Sequence, residues 1–292
     1  TGGLVGLGST LGPIIPPSIW MILYGPIAEV NVGELFFAGI LPGIMIMLAF
    51  IPMARYLSIR EKVAVIPGAS WGERGRDFVR CIPALFMPII ILGGIYSGIF
   101  TPTEAAGVAS AYAFIIGILV YRGLKPRSFF RAMREATFTT SAVFWIVLGA
   151  TLYGFVLVQI GVPGMIMNGI EALGLGAFGF LMLLRGVKII LGMFIGSIAI
   201  LLIFTPMFIP AVAALGIDPI HFGMVTVVAL AIAEASPPFG ITIFAVSSII
   251  EEPSSEVFRC STPLLLVEIA CLFVIAAVPQ ISLIVPALLG LR

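Results

Sequence analysis

Residues 8–18 read GSTLGPIIPPS, and residues 234–242 read EASPPFGIT. Each stretch places a Pro-Pro pair, glycine and hydroxyl side chains inside an apolar run. A proline pair removes two backbone donors and clashes with the preceding helical turn, and it pushes the residue before it out of the α region. The two stretches therefore predict helices that are interrupted at Pro16-Pro17 and at Pro237-Pro238.

The whole sequence is too apolar for a water-soluble protein. Of 292 residues, 60% are hydrophobic and 10% are charged, whereas a soluble domain carries about 25% charged residues. The apolar runs at 36–52, 82–100 and 264–278 are continuous rather than alternating, which favours helices over a barrel. The sequence predicts an all-α, polytopic membrane protein. A net charge of +1 gives no indication of a nucleic-acid partner.

The apolar segments and the basic residues together predict a topology. Lys and Arg concentrate in 55–80 and 122–135, and the positive-inside rule puts both connections in the cytoplasm. Residues 126–137 predict a helix lying in the membrane interface, with a basic loop as the alternative. Full spans are expected at 35–54, 82–100, 103–121, 139–160 and 262–289, proline-broken helices at 1–28 and 222–250, and a re-entrant hairpin at 175–215 with breaks near 192–197 and 205–210.

The two proline stretches also predict an internal repeat. At an offset of 221 residues (237 − 16 and 263 − 42), Pro16-Pro17 falls on Pro237-Pro238 and Pro42 falls on Pro263. Counting spans from the cytoplasmic connections puts the loop after the first broken helix outside and the loop after the second inside. The copies are then inverted, which is a recurring plan of secondary transporters.

The chemistry of the breaks favours ligand binding. Unwound backbone in a membrane presents free carbonyls and half-helix ends, and it is tolerated only where protein or water satisfies them. Oxygen ligands suit a small cation, while half-helix N-termini suit an anion. The alternative is a pair of kinked structural helices.

Further stretches carry a resemblance to a known family. Residues 98–109 (GIFTPTEAAGVA), 192–194 (GMF), 216–223 (GIDPIHFG) and 236–240 (SPPFG), with the first proline stretch, resemble the large membrane subunit of the TRAP (tripartite ATP-independent periplasmic) transporters. The resemblance implies an elevator-type fold like that of the ion transporter superfamily, in the bacterial inner membrane. It implies sodium-coupled uptake of organic acids, C4-dicarboxylates or sialic-acid-like carboxylates, delivered by a periplasmic binding protein, with a small membrane subunit as a further partner. The first spans and first hairpin of the family are expected to be missing before Thr1.

The resemblance also implies site residues and a domain division. Sodium candidates are Ser9, Thr10 and Gly12 at one site, and Gly192, Ser236 and Thr242, with Ser197, at the other. The remaining candidates for binding substrate or ion are Pro16, Pro17, Ser18, Pro237, Pro238 and Gly240. The expected transport domain is 1–60 with 161–292, the cytoplasmic connection is 61–81, and the scaffold is 82–160. Ile195-Gly196 and Ala229 depart from the polar residues frequent in the family.

Several charged residues lie inside apolar segments. Glu104 follows Thr-Pro-Thr and is expected to cap a helix. Arg185 and Lys188 are expected to snorkel to the interface, or to reflect an altered sequence, rather than to contact a substrate carboxylate. Glu234 is expected either to contribute to the binding site or to be exposed at a water-filled crevice. No role is assigned to Glu268.

Other functional classes fit the sequence less well. No intramembrane catalytic pair is recognisable, which argues against an enzyme, and no Walker A motif or cofactor motif occurs. A channel would require one filter built by symmetric oligomerisation, whereas two inverted broken helices favour alternating access. A carrier with the same inverted plan but no binding protein stays open as the main alternative.

Overall fold

The structure, a computed structural model, describes residues 2–61 and 68–291. Within these ranges the chain is helical and contains no strand, so the all-α prediction is confirmed for the described part of the chain. The helices are α1 (Gly2–Gly8), α2 (Leu11–Ile14), α3 (Ile19–Ala28), α4 (Val32–Arg60), α5 (Trp71–Tyr96), α6 (Pro102–Leu119), α7 (Pro126–Gln159), α8 (Val162–Ala172), α9 (Ala177–Gly192), α10 (Ser197–Ala214), α11 (Pro219–Ala235), α12 (Ile241–Ile250), α13 (Ser254–Ala277) and α14 (Gln280–Leu288).

Seven helical segments of the described chain are long and apolar enough to cross a membrane. Their burial differs widely. In α5 only 6% of the most apolar stretch is buried, against 44% in α4. An apolar helix that leaves most of its surface uncovered is stable in lipid but not in water, because exposed apolar area costs roughly 25 cal/mol per Å² in water. The polytopic membrane assignment is therefore confirmed.

The chain divides into two compact units. One unit contains Thr1–Glu61 and Ile146–Arg292, and the other contains Lys62–Trp145. The centre of the first unit is α11, in which every residue from Ile220 to Ala233 is buried. A helix that is apolar on all sides is a core helix, and α11 packs against α2, α3, α4, α9, α10, α12, α13 and α14.

The predicted interruptions at the two proline pairs are present. After α2 ends at Ile14 the chain is non-helical until α3 begins at Ile19, and after α11 ends at Ala235 helical structure resumes at Ile241. Both Pro-Pro peptide bonds are cis. The predicted break near 192–197 is also present, between α9 and α10.

The second predicted break in the hairpin, at 205–210, is wrong. Helix α10 continues from Ser197 to Ala214 through Pro206 and Pro210. Each of these prolines removes only one donor and is followed by residues that can resume the helix, whereas an adjacent pair removes two consecutive donors and restricts the first proline as well.

Three other boundaries differ from the prediction. Residues 126–137 are not a separate helix, because α7 runs on to Gln159 and no Gly or Pro occurs between Pro126 and Gly149 to end it. Helix α5 begins at Trp71 rather than at 82, since Ser70 and Glu73 form a capping box there. The last predicted span, 262–289, is divided at Pro279 into α13 and α14. Residues 62–67 of the predicted connection lie outside the described residues.

The second unit contains α5, α6 and the first part of α7. The Thr101 amide donates to Glu104 Oε2 at 2.8 Å and the Glu104 amide donates to Thr101 Oγ1 at 3.3 Å. This capping box confirms the predicted role of Glu104 at the start of α6. The Tyr112 hydroxyl donates to the Pro83 carbonyl at 2.7 Å and ties α6 to α5.

Candidate functional site

The two interrupted helices lie side by side and run in opposite directions. A Cβ built on Gly2 would lie 2.6 Å from Ile250 Cδ1, and one on Gly6 would lie 2.7 Å from Ile243 Cδ1. Further along, the Tyr24 ring packs on Gly223, and the Tyr24 hydroxyl donates to the Pro219 carbonyl at 2.6 Å. Residue numbers rise along one segment where they fall along the other, so the two interrupted helices form an antiparallel pair.

The first break contains a small cleft. It has a volume of about 290 Å³ and is lined by Gly12, Pro13, Pro17, Ser18, Ile19 and Trp20. The Ser18 hydroxyl is buried and has no hydrogen-bond partner among the described residues. A Cβ built on Gly12 would meet no described atom within 4 Å. The cleft therefore has room for a ligand, and an unpaired hydroxyl group is buried in its wall.

Thr10 at the first break points away from the exposed Ser9 and contacts α13. Thr10 Oγ1 lies 2.8 Å from Glu268 Oε1 and 2.7 Å from the Leu7 carbonyl oxygen. The Ser9 hydroxyl donates to the Gly6 carbonyl at 2.6 Å. The sequence alone indicates no role for Glu268. An acidic residue inside an apolar span is a signal of function, but its partner lies 258 residues away along the chain.

Other predicted site residues, Ser236, Gly240 and Thr242, lie at the second break, which follows α11. The Ser236 hydroxyl donates to the Ile232 carbonyl at 2.7 Å, and the Thr242 hydroxyl donates to the Glu234 carbonyl at 3.2 Å. Both hydroxyls therefore retain lone pairs for a cation. Gly240 follows the exposed Pro237 and Pro238 in this turn. A Cβ built on Gly240 would lie 3.2 Å from the Ser236 carbonyl oxygen.

The tip of the α9–α10 hairpin rests on this second break. A Cβ built on Gly192 would lie 2.5 Å from the Ala233 Cβ, and the Ser197 hydroxyl lies 3.4 Å from the Leu230 carbonyl oxygen. The rings of Phe194 and Phe239 meet with their centroids 5.9 Å apart. The structure thus brings Gly192 and Ser197 to the same region as Ser236, as the resemblance implies.

The prediction that Arg185 and Lys188 snorkel to the interface is wrong. Both side chains are buried, and Lys188 is only 1% exposed. Lys188 Nζ donates to Thr226 Oγ1 at 2.7 Å and lies 4.6 Å from the centroid of the Phe222 ring. The Arg185 guanidinium donates to the Leu272 carbonyl at 2.9 Å. The side chains turn inward because spacing by three puts them on the same face of α9, which packs on α11 and α13.

The sequence of this chain matches a known protein family. Residues 1–281 match the family described as the tripartite ATP-independent periplasmic transporter, DctM component. Over 287 residues the chain is 34% identical to the sialic acid TRAP transporter large permease protein SiaM of Vibrio cholerae, covering 98% of this chain and 67% of that protein. It is 35% identical over 289 residues to the C4-dicarboxylate TRAP transporter large permease protein DctM of Pseudomonas aeruginosa, covering 99% of this chain and 68% of that protein.

A third relative carries another substrate in its name. The chain is 34% identical over 275 residues to the ectoine/5-hydroxyectoine TRAP transporter large permease protein UehC of Ruegeria pomeroyi, which covers 94% of this chain and 64% of that protein. The chain spans about two thirds of the length of these relatives. The match over nearly the whole chain, together with the seven helices able to span a membrane, means that this chain belongs to the DctM component family of the tripartite ATP-independent periplasmic transporters.

Proposed function

We propose that this chain is the solute-carrying part of a sodium-coupled transporter that takes up organic acids by an elevator movement. The observation that carries the proposal is the antiparallel contact of two interrupted helices, each with hydroxyl side chains at its break. Such pairs are the recurring binding sites of secondary transporters, because main-chain groups freed near the midplane bind ions and substrate.

Matching secondary structure around the two breaks supports an inverted repeat. The helices after the breaks, α3 and α12, both contain 10 residues. Each is followed by a C-cap glutamate whose backbone is in the left-handed region, Glu29 with φ 54° and Glu251 with φ 56°. The following helices begin at Val32 and Ser254, so all three features recur at an offset of 222 residues (241 − 19, 251 − 29 and 254 − 32).

The starts of α3 and α12 suit a carboxylate substrate. No side-chain hydrogen bond caps either start, where Ser18 and Gly240 are the N-cap residues. The first amides of these half-helices are therefore available to an anion, which the helix dipole also attracts. The names of the relatives include sialic acid and C4-dicarboxylate, and we propose an organic acid of one of these classes as the substrate.

The predicted sodium ligands suit a hard cation by their chemistry. Ser9, Thr10 and Gly12 would contribute to a site at the first break. Gly192, Ser236 and Thr242 would contribute at the second break, where the Ser236 and Thr242 protons already go to carbonyls and leave oxygen lone pairs free. When bound, sodium would supply the electrochemical driving force for uptake.

The proposed assembly includes a periplasmic binding protein and a small membrane subunit. The second unit offers apolar surface for the latter, since α5 and α6 are largely exposed over their apolar lengths. We propose that the scaffold is 82–160 and that the moving transport domain is 1–60 with 161–292. Lipid would cover the remaining apolar surface.

Uptake into proteoliposomes tests the proposal. The complete large subunit would be reconstituted with its small subunit, and uptake of labelled succinate and N-acetylneuraminate measured with and without an inward sodium gradient and the purified binding protein. We expect accumulation of one acid that requires both. Sodium-driven uptake without stimulation by the binding protein would favour the independent carrier, and non-saturable flux without a gradient would favour a channel.

A further inference from the structure

Glu268 is an acidic side chain held inside the protein at the level of an apolar span. It lies within α13, is 0% exposed, and its Oε2 atom has no hydrogen-bond partner among the described residues. A charge or an unpaired polar atom in such surroundings costs several kcal/mol, so intramembrane acidic residues are retained where they bind something.

The oxygens around Thr10 outnumber the protons available to them. Thr10 Oγ1 lies 2.7 Å from the Leu7 carbonyl oxygen and 2.8 Å from Glu268 Oε1. A hydroxyl group has one proton, and neither a carbonyl nor a carboxylate can donate. When Glu268 is ionised, one of the two short contacts therefore lacks a proton, and the unpaired Oε2 adds a further acceptor to the same cluster. A bound cation would satisfy this excess of acceptors, whereas a protonated Glu268 would supply the missing proton itself.

No side-chain cation of the described residues supplies this charge. The described ion pair is Arg259 with Glu256, at the exposed start of α13. The nearest buried guanidinium along α13 is that of Arg185, which is bound to the Leu272 carbonyl one turn beyond Glu268. Helices α1 and α12, which also pack on α13, contain no ionisable side chain.

The main chain at this point attracts positive charge as well. Leu7 lies in the last turn of α1, so its carbonyl belongs to the negative end of a half-helix. Half-helix C-terminal ends and unwound carbonyls coordinate the coupling cations of transporters. A carboxylate, a hydroxyl and such a carbonyl are also the hard oxygen ligands that alkali cations accept.

We propose that Glu268 is a ligand of a monovalent cation at the first break, together with Thr10 Oγ1 and the Leu7 carbonyl oxygen. The inference rests on the proposed function, to which it adds a carboxylate ligand from α13 that lies outside the residues implied by the family resemblance. A carboxylate raises the affinity of the site because it gives the buried cation a formal counter-charge.

Sodium binding to the purified complete protein tests the assignment. Isothermal titration with sodium chloride and the sodium-dependent rise in thermal unfolding temperature would both be measured, with choline chloride holding the ionic strength constant. We expect Glu268→Gln to weaken sodium binding by about tenfold or more, as loss of a charged partner implies, and Thr10→Val to weaken it in the same direction. Glu256→Gln removes an exposed carboxylate from the same helix and should leave the affinity unchanged.

The possible outcomes separate this inference from the proposed function. Wild-type affinity in Glu268→Gln would refute the carboxylate ligand and leave sodium coupling intact. No sodium binding by the wild-type protein would refute both. If Glu268→Gln does not fold, infrared spectra of the wild-type protein and Glu268→Asp decide the question. A protonated carboxylic acid band at saturating sodium that shifts in Glu268→Asp would overturn the proposal, and its absence would support it.

Discussion

Several buried polar side chains in this chain contact partners from distant parts of the sequence. Lys188 on α9 binds Thr226 on α11, Arg185 binds the Leu272 carbonyl on α13, and Thr10 contacts Glu268. Each contact joins two separate segments of the first unit. At the residue scale, polar contacts therefore link the elements that carry the proposed site.

Lys188 gives a prediction for stability. Its ammonium has a hydroxyl and aromatic rings around it but no carboxylate in ion-pair contact among the described residues. Burying a charged group without an opposite charge costs free energy, so an apolar side chain of similar length at this position should be neutral or stabilising. We expect Lys188→Met to raise or preserve the thermal unfolding temperature of the purified protein in detergent.

An exposed lysine provides the control for this measurement. Lys125 lies in the exposed connection before α7, and Lys125→Met should leave the unfolding temperature unchanged. A marked fall in stability for Lys188→Met alone would mean that the ammonium is held by an interaction stronger than those described.

At this scale the sequence predicted which residues lie at the breaks better than it predicted their contacts. The hydroxyls and glycines of both breaks follow from the proline pairs. The inward position of Lys188 does not, because the sequence alone gives no aromatic pocket on α11. The contact of Thr10 with Glu268 could not be predicted either, since it depends on how α1 packs along α13.

The helical elements around the breaks pack closely through glycine. A Cβ built on Gly3 would lie 2.8 Å from the main-chain carbon of Cys260, and one on Gly39 would lie 2.6 Å from the Ile14 carbonyl oxygen. Such approaches let backbones meet without side chains between them, as small residues do at helix interfaces in membranes. The breaks are thus held by backbone-to-backbone packing on α4 and α13.

Gly3 and Gly8 form a matched pair for testing this packing. Both lie in α1, but a Cβ on Gly8 would meet no described atom within 4 Å. We expect Gly3→Ala to lower stability by about 1–3 kcal/mol, because an added methyl group overpacks against backbone that cannot move aside. Gly8→Ala should cause no loss. Thermal unfolding of the two variants measures the difference, and equal stability would contradict close packing of α1 on α13.

The sequence predicted the existence of the elements well and their ends less well. Proline pairs predicted both interruptions, because adjacent prolines leave the helix no alternative. The single prolines of α10 did not end it, and the continuity of α7 went unrecognised because a change from polar to apolar composition resembles a boundary. The capping box at Ser70 was the signal that would have corrected the start of α5.

As a whole molecule, the chain is a multi-pass protein of the bacterial inner membrane. Its family and its seven candidate spans support this location independently. Length and composition were sufficient to predict a multi-pass membrane protein, because 10% charged residues cannot cover a soluble protein of this size. The bacterial inner membrane was implied by the family resemblance. The identity of the solute could not be predicted, since related chains carry different acids in their names.

The inverted arrangement predicts opposite accessibility for two equivalent loops. Glu29 and Glu251 end the helices that follow the two breaks, and both are exposed. In a background without Cys81, Cys260 and Cys271, Glu29→Cys should react with a membrane-impermeant thiol reagent from the periplasmic side. Glu251→Cys should react only after the membrane is permeabilised.

A residue in a basic connection provides the reference for the cytoplasmic face. Lys125→Cys should behave like Glu251→Cys, because the positive-inside rule puts residues 122–135 in the cytoplasm. Reaction of Glu29→Cys and Glu251→Cys from the same face would exclude the inverted repeat and the alternating access that depends on it.

The complete enclosure of α11 limits how this protein can diverge. Every side chain from Ile220 to Ala233 has a neighbour on its own side of the helix, so no position there can change size without a matching change elsewhere. Substitutions that change solute preference are therefore expected in the turns at either end of α11. Substitutions within the helix are expected only together with compensating substitutions in the residues packed against it.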